Sequence, residues 1–153
     1  MPRLLIVFHS RSGGTAAMTE AVLAGATDDA IEDVEVVRRG AFDTTVDDVR
    51  ACNALIIGTP ENFGYMSGAI KDFFERIYYE LLDETPGLPY ALYVKASTDG
   101  EGAVRSIERI VAGLKWKAVV PPFVVVGDLE PEHLEQCREL GATVAAGLEA
   151  GMF

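Results

Sequence analysis

Residues 4–15 read Leu4-Leu5-Ile6-Val7-Phe8-His9-Ser10-Arg11-Ser12-Gly13-Gly14-Thr15: five apolar residues without a polar break, followed at once by hydroxyls and glycines. An apolar run of that length with no alternation reads as a strand covered on both faces, the condition of a parallel sheet. Runs of the same character recur at 54–57, 90–94 and 118–126, while Val34-Glu35-Val36-Val37 is partly alternating and suits an edge strand. Helical patterns lie between them. Residues 67–82 place Ile70, Phe73, Phe74, Ile77, Tyr78, Leu81 and Leu82 at 3–4-residue spacing, with Ser67 as a candidate N-cap. Residues 102–114 put Ala103, Ile107, Ile110, Val111 and Leu114 on one face, and 131–149 open with a proline near the first helical position. A helix of small residues around Met18 and Val22 is expected over 15–26, and a short one over 44–51. Alternating strands and helices give right-handed βαβ units. Pro121 and Pro122 cannot donate to a central ladder, which sends the last strand to an edge. The expectation is an α/β fold: a doubly wound five-stranded parallel sheet of order 2-1-3-4-5 in a three-layer α/β/α sandwich, one domain over residues 1–153.

Composition narrows the function. Hydrophobic residues make up 49% and charged residues 24%, which supports a packed core. Lys and Arg number 13 against 24 Asp and Glu, a net charge of −11, so nucleic acid and anionic membranes are not expected as partners. The run at 118–126 is too short for a bilayer and is broken by its prolines, and no signal-peptide core follows Arg3; a cytoplasmic protein is expected. Cys52 and Cys137 stand far apart and fit neither a metal site nor a disulfide framework. The acids gather at 28–35, 43–48 and 128–139, whereas residues 9–16 hold Arg11 and no acid.

In an open parallel sheet, ligands bind beyond the carboxyl ends of the strands, near the point where strand order reverses. Three segments end there, and Gly13, Gly14, Gly64, Gly68, Gly100 and Gly102, six of the 15 glycines, concentrate in them. The first, Ser10 to Thr15, combines hydroxyls, glycine and one cation ahead of a helix, a composition that holds a phosphate through backbone N–H groups and the helix dipole. No Walker loop, no dinucleotide glycine fingerprint and no cysteine phosphatase loop is present. The second, residues 58–68, sets Asn62, Phe63, Tyr65 and Met66 around Gly64, a set suited to a flat polarisable ring. The third, with Ser97, Thr98, Asp99 and Gly100, adds hydroxyls and turn amides. His9 reads as a packing residue with the phosphate as a second option, and His133 as a surface residue.

These residues carry a resemblance. Ser10-Arg11-Ser12-Gly13-Gly14-Thr15 resembles the [ST]-x-[ST]-G-x-T phosphate loop of flavodoxins. Gly58-Thr59-Pro60-Glu61-Asn62-Phe63-Gly64-Tyr65-Met66-Ser67-Gly68 resembles the G-T-P-x-x-F-G-x-M-S-G loop of flavodoxin-like NAD(P)H:quinone oxidoreductases of the Trp-repressor-binding-protein type, relatives of the NADPH-dependent FMN reductases. The resemblance implies a flavodoxin-like fold and noncovalent FMN. It implies that Ser10, Arg11, Ser12, Gly13, Gly14 and Thr15 hold the FMN phosphate, that Pro60, Asn62, Phe63, Gly64 and Met66 contact the isoalloxazine, and that Ser97, Thr98, Asp99 and Gly100 meet its pyrimidine side. No catalytic side chain and no metal is implied, because the flavin carries the chemistry. Asp99 and Glu101 interrupt the glycines usual in the third loop of that type, and Asp99 is the acid expected to disfavour an anionic reduced ring. The leading expectation is an FMN oxidoreductase passing electrons from NAD(P)H to a quinone-like acceptor. A flavodoxin-type carrier docking basic redox proteins and a non-redox binding module are the other readings, with a homodimer as the default assembly.

Overall fold

Strands and helices alternate throughout the computed structural model, which describes residues 1–153. In chain order they are β1 (Arg3–Phe8), α1 (Gly14–Ala26), β2 (Glu35–Gly40), α2 (Val46–Ala51), β3 (Ala54–Pro60), α3 (Gly68–Leu81), β4 (Pro89–Ala96), α4 (Glu101–Leu114), β5 (Lys117–Ala118), β6 (Phe123–Val126) and α5 (Pro131–Glu149). All pairings are parallel, in the order β2-β1-β3-β4-β5, with β6 also on β4. The doubly wound order 2-1-3-4-5 is therefore present. No helix is long and apolar enough to cross a membrane.

Two elements differ from expectation. The single strand anticipated over 118–126 is two short ones, because Pro121 and Pro122 bring no N–H to the ladder, and the chain leaves it after Val119 N donates to Tyr90 O at 3.0 Å. Lys117–Ala118 pairs with the start of β4 and Phe123–Val126 with its end. The helix anticipated over 44–51 begins at Val46, after a 3₁₀ turn at Ala41–Asp43. Thr45 caps it reciprocally: its hydroxyl accepts from Asp48 N at 3.2 Å, while the Asp48 carboxylate accepts from Thr45 N at 2.8 Å. Ser67 caps α3 as expected, accepting from Ile70 N at 3.2 Å.

Successive strand residues point to opposite faces, so each strand feeds two cores. Leu5, Val7, Leu55, Ile57 and Leu92 meet Phe73, Phe74 and Ile77 of α3 and Ile107 and Val111 of α4. Leu4, Ile6, Ile56, Ala91 and Tyr93 meet Met18 and Val22 of α1 and Cys137 and Val144 of α5. The small residues of α1 have a physical reason here. A Cβ added to Gly25 would lie 1.9 Å from Arg138 O, and one added to Gly141 would lie 2.0 Å from Val22 O, so α1 and α5 cross backbone to backbone. Gly141→Ala should force the two helices apart and cost about 3 kcal/mol, the upper part of the overpacking range. Gly68→Ala, where nothing lies within 4 Å of the added carbon, should stay within about 0.5 kcal/mol of the unaltered chain. Chemical denaturation of the two variants checks both.

Candidate functional site

The register β1–β3–β4 aligns Phe8 with Gly58 and Gly58 with Tyr93, so the loops leaving these strands open at one edge of the sheet. The first loop turns into α1 through Gly13, whose φ of +97° lies in the left-handed region. Ser10 Oγ accepts from Gly13 N at 3.2 Å and Ala16 N at 3.1 Å and closes the turn. The amides of Arg11, Ser12, Gly14 and Thr15 take no acceptor from the protein. Oriented N–H groups at a helix N-terminus form a cradle for an anion. Two cations attend it. Arg11 is exposed, and the Lys95 chain from the end of β4 lies so close to Gly14 that an added Cβ would sit 3.1 Å from Lys95 Cγ. Neither forms an ion pair, although most other cations of the chain do.

The second loop is a tight turn. Asn62 and Tyr65 exchange backbone hydrogen bonds at 2.9 and 3.0 Å, and both central residues are left-handed, Phe63 at φ +55° and Gly64 at +67°. That is the geometry of a type I′ turn, natural for Gly64 and uncomfortable for Phe63. Phe63 nonetheless stands there fully exposed, an arrangement that costs both strain and hydration and that nothing inside the protein repays. Met66 is buried beneath the turn. Ser67 N donates to Thr59 Oγ1 at 3.0 Å, tying the loop back to β3. The Gly64 carbonyl rests on Gly102 of α4, where an added Cβ would come within 1.7 Å of it. Between the first and second loops lies a cleft of about 560 Å³ lined by His9, Arg11, Phe42, Asn62, Phe63 and Met66, among others. His9 stands edge-on to Phe42, and its buried Nδ1 has no hydrogen-bond partner.

The third loop is organised by a residue that the sequence reading left unassigned. Glu61, buried at the end of β3, accepts from Thr98 N at 2.8 Å, Thr98 Oγ1 at 2.7 Å, Ser97 N at 3.2 Å and Gly100 N at 2.8 Å. Burial alone would push this carboxyl up, but the donors from Thr98, Gly100 and Ser97 outweigh it and hold it below its ordinary value of 4.5. Asp99 N is the loop amide left without an acceptor, and the Asp99 carboxylate turns away to accept from Glu101 N at 3.0 Å. All fifteen residues singled out from the sequence thus stand at one edge of the sheet, on the three loops or the element ends that flank them, with Thr15, Met66 and Gly100 buried beneath the surface. Glu61, Lys95 and Gly102 join them. His133 instead caps α5, accepting from Glu130 N at 2.9 Å. Burial pushes the Cys52 thiol up to about 12 and Cys137 up to about 11, which keeps both protonated at neutral pH.

A family model described as NADPH-dependent FMN reductase matches residues 23–129. The chain belongs to this family. It is 32% identical over 161 residues to a protein named flavodoxin from Aquifex aeolicus (strain VF5), covering 95% of this chain and 86% of the relative. Among solved structures, a flavodoxin from the domain Archaea superposes with a TM-score of 0.80 at 19% identity, covering 96% of this chain and 99% of that one. A WrbA-like flavodoxin from Agrobacterium tumefaciens gives 0.76 at 19% identity, covering 99% of each chain. At that identity the structures speak for the fold, which is flavodoxin-like.

Because Glu61 is held below its ordinary value, the stability it contributes is present above about pH 4.5 and fades as pH falls through its lowered value. Glu61→Ala strands three loop amides and should cost about 2 kcal/mol at neutral pH, with the difference from the unaltered chain shrinking in acid. Unfolding curves of both proteins across that range test it.

Proposed function

We propose that this chain binds FMN across the three loops and acts as an oxidoreductase, moving electrons from NAD(P)H to a quinone-like acceptor. The observation that carries the reading is the open cradle of the Arg11, Ser12, Gly14 and Thr15 amides, flanked by unpaired Arg11 and Lys95 in a chain of net charge −11. Such a cradle suits a phosphate monoester, and family membership makes FMN its natural owner. Ser10, Gly13 and the four free amides would hold the phosphate, with Lys95 adding charge. Pro60, Asn62, Phe63, Gly64 and Met66 would form the wall for the ring; exposed Phe63 gains by stacking what it lacks in water. At the polar edge the Asp99 amide and the Ser97 hydroxyl would be the third loop's free donors, with Thr98 Oγ1 and Gly100 N held on Glu61 and shaping the loop from behind. Bound flavin would supply hydride and electron chemistry, and the chain's part is binding, orientation and charge. The cleft of about 560 Å³ lined by Asn62, Phe63 and Met66 would receive the ring, with His9 and Phe42 on its other side.

The carrier reading rests on a different observation. Acidic patches and the exposed Phe63 and Phe42 would dock a basic redox protein, and the Aquifex relative bears the name flavodoxin. Anaerobic mixing of the FMN-loaded chain with NADPH and with NADH separates the two: rapid bleaching supports the reductase, and a flavin reduced only by a protein donor supports the carrier. Lys95→Met should weaken FMN binding roughly tenfold and leave riboflavin, which lacks the phosphate, unchanged. Equal loss for both ligands would take Lys95 out of the phosphate site.

A further inference from the structure

We propose that Glu61 is a positioning residue for the flavin's pyrimidine edge: its carboxylate shapes the loop at 97–100 and keeps that loop's amides from a reduced, negatively charged ring. The inference rests on the FMN reading above. Its geometry does not, because the four hydrogen bonds from Ser97, Thr98 and Gly100 are made entirely within the chain. Turn amides that converge on one point make an anion site. In this chain the anion is built in. Glu61 is 6% exposed and takes three backbone N–H groups and one hydroxyl, leaving the Asp99 amide and the Ser97 hydroxyl as the donors of residues 97–100 free for anything else.

Two consequences follow from that occupancy. The loop is preorganised, so a ligand meeting its outer rim does not have to order it first. A two-electron-reduced flavin, however, carries negative charge around N1 and the neighbouring carbonyl. Against this loop it meets a nest whose donors already serve a carboxylate, with a second negative charge behind them. Oxidised, neutral flavin meets no such opposition. Glu61 therefore biases bound flavin toward the oxidised form and makes the reduced form a ready electron donor. Asp99, the acid expected from the sequence to oppose a reduced ring, stands exposed on the same loop and accepts from Glu101 N, so its charge is solvated where that of Glu61 is buried.

The test uses the full chain and the variants Glu61→Gln and Glu61→Asp, with FMN as probe. In the chain free of FMN, hydrogen exchange at the Ser97, Thr98 and Gly100 amides should be slow, and at least about tenfold faster in Glu61→Gln. With FMN bound, Glu61→Gln should raise affinity for reduced relative to oxidised flavin about tenfold and move the two-electron midpoint potential to more positive values. Glu61→Asp, which keeps the charge on a shorter arm, should recover part of the original potential. Slow exchange combined with an unchanged potential in Glu61→Gln overturns the bias while leaving the FMN reading intact. An unaltered chain that takes up no FMN overturns that reading and the bias with it. Exchange that Glu61→Gln leaves unaltered overturns the hold on the loop itself.

Discussion

The constraint on which this molecule depends is the burial of β1, β3 and β4 on both faces. A strand covered twice can satisfy its backbone only through neighbouring strands, and here every neighbour is parallel, which puts all the carboxyl ends at one edge. Everything polar that the sequence concentrates after those strands is thereby delivered to one place. The two cores are equal partners in this. Alternate residues of the same strands anchor α1 and α5 on one side and α3 and α4 on the other, so neither layer can shift without moving the loop edge.

The loops divide the labour. The first leaves its amides open and its cations unpaired, the second projects a strained aromatic into water, and the third is closed on Glu61. Two of the three thus store unmet interactions at the surface while the third has met its own. The contrast follows from chain chemistry: Ser10 is too short to satisfy more than two of the first loop's amides, whereas a glutamate at the end of β3 reaches across to β4's loop.

Much of this was readable from the chain. Continuous apolar runs, prolines in the last of them and glycine-rich exits were enough for strand order and for the positions of the three loops. What was not readable lies across strands. Glu61 occupies a variable position in its motif, and its role depends on register with β4, which no local pattern encodes. Lys95 stands just past the apolar run at 90–94, where nothing local marks it; only the packing of β4 beneath α1 brings it to Gly14. Gly102 could be recognised as a glycine but not as the surface on which Gly64 rests. The split of the last strand was signalled by Pro121 and Pro122, although the number of ladder positions they removed depends on where β4 can still accept.

The crossing of α1 on α5 ties the beginning of the chain to its far end. Gly25 lies against the backbone of Arg138 and Gly141 against that of Val22, and the helix that begins at the open amides is the one that needs these contacts. A growing polypeptide cannot complete that seat until Gly141 has been synthesised and has left the ribosome. The long sequence separation makes this docking a late, entropically demanding step of folding. The support beneath α1, and with it the position of the open amides at its start, therefore comes from a helix more than a hundred residues further along the sequence rather than from neighbouring residues.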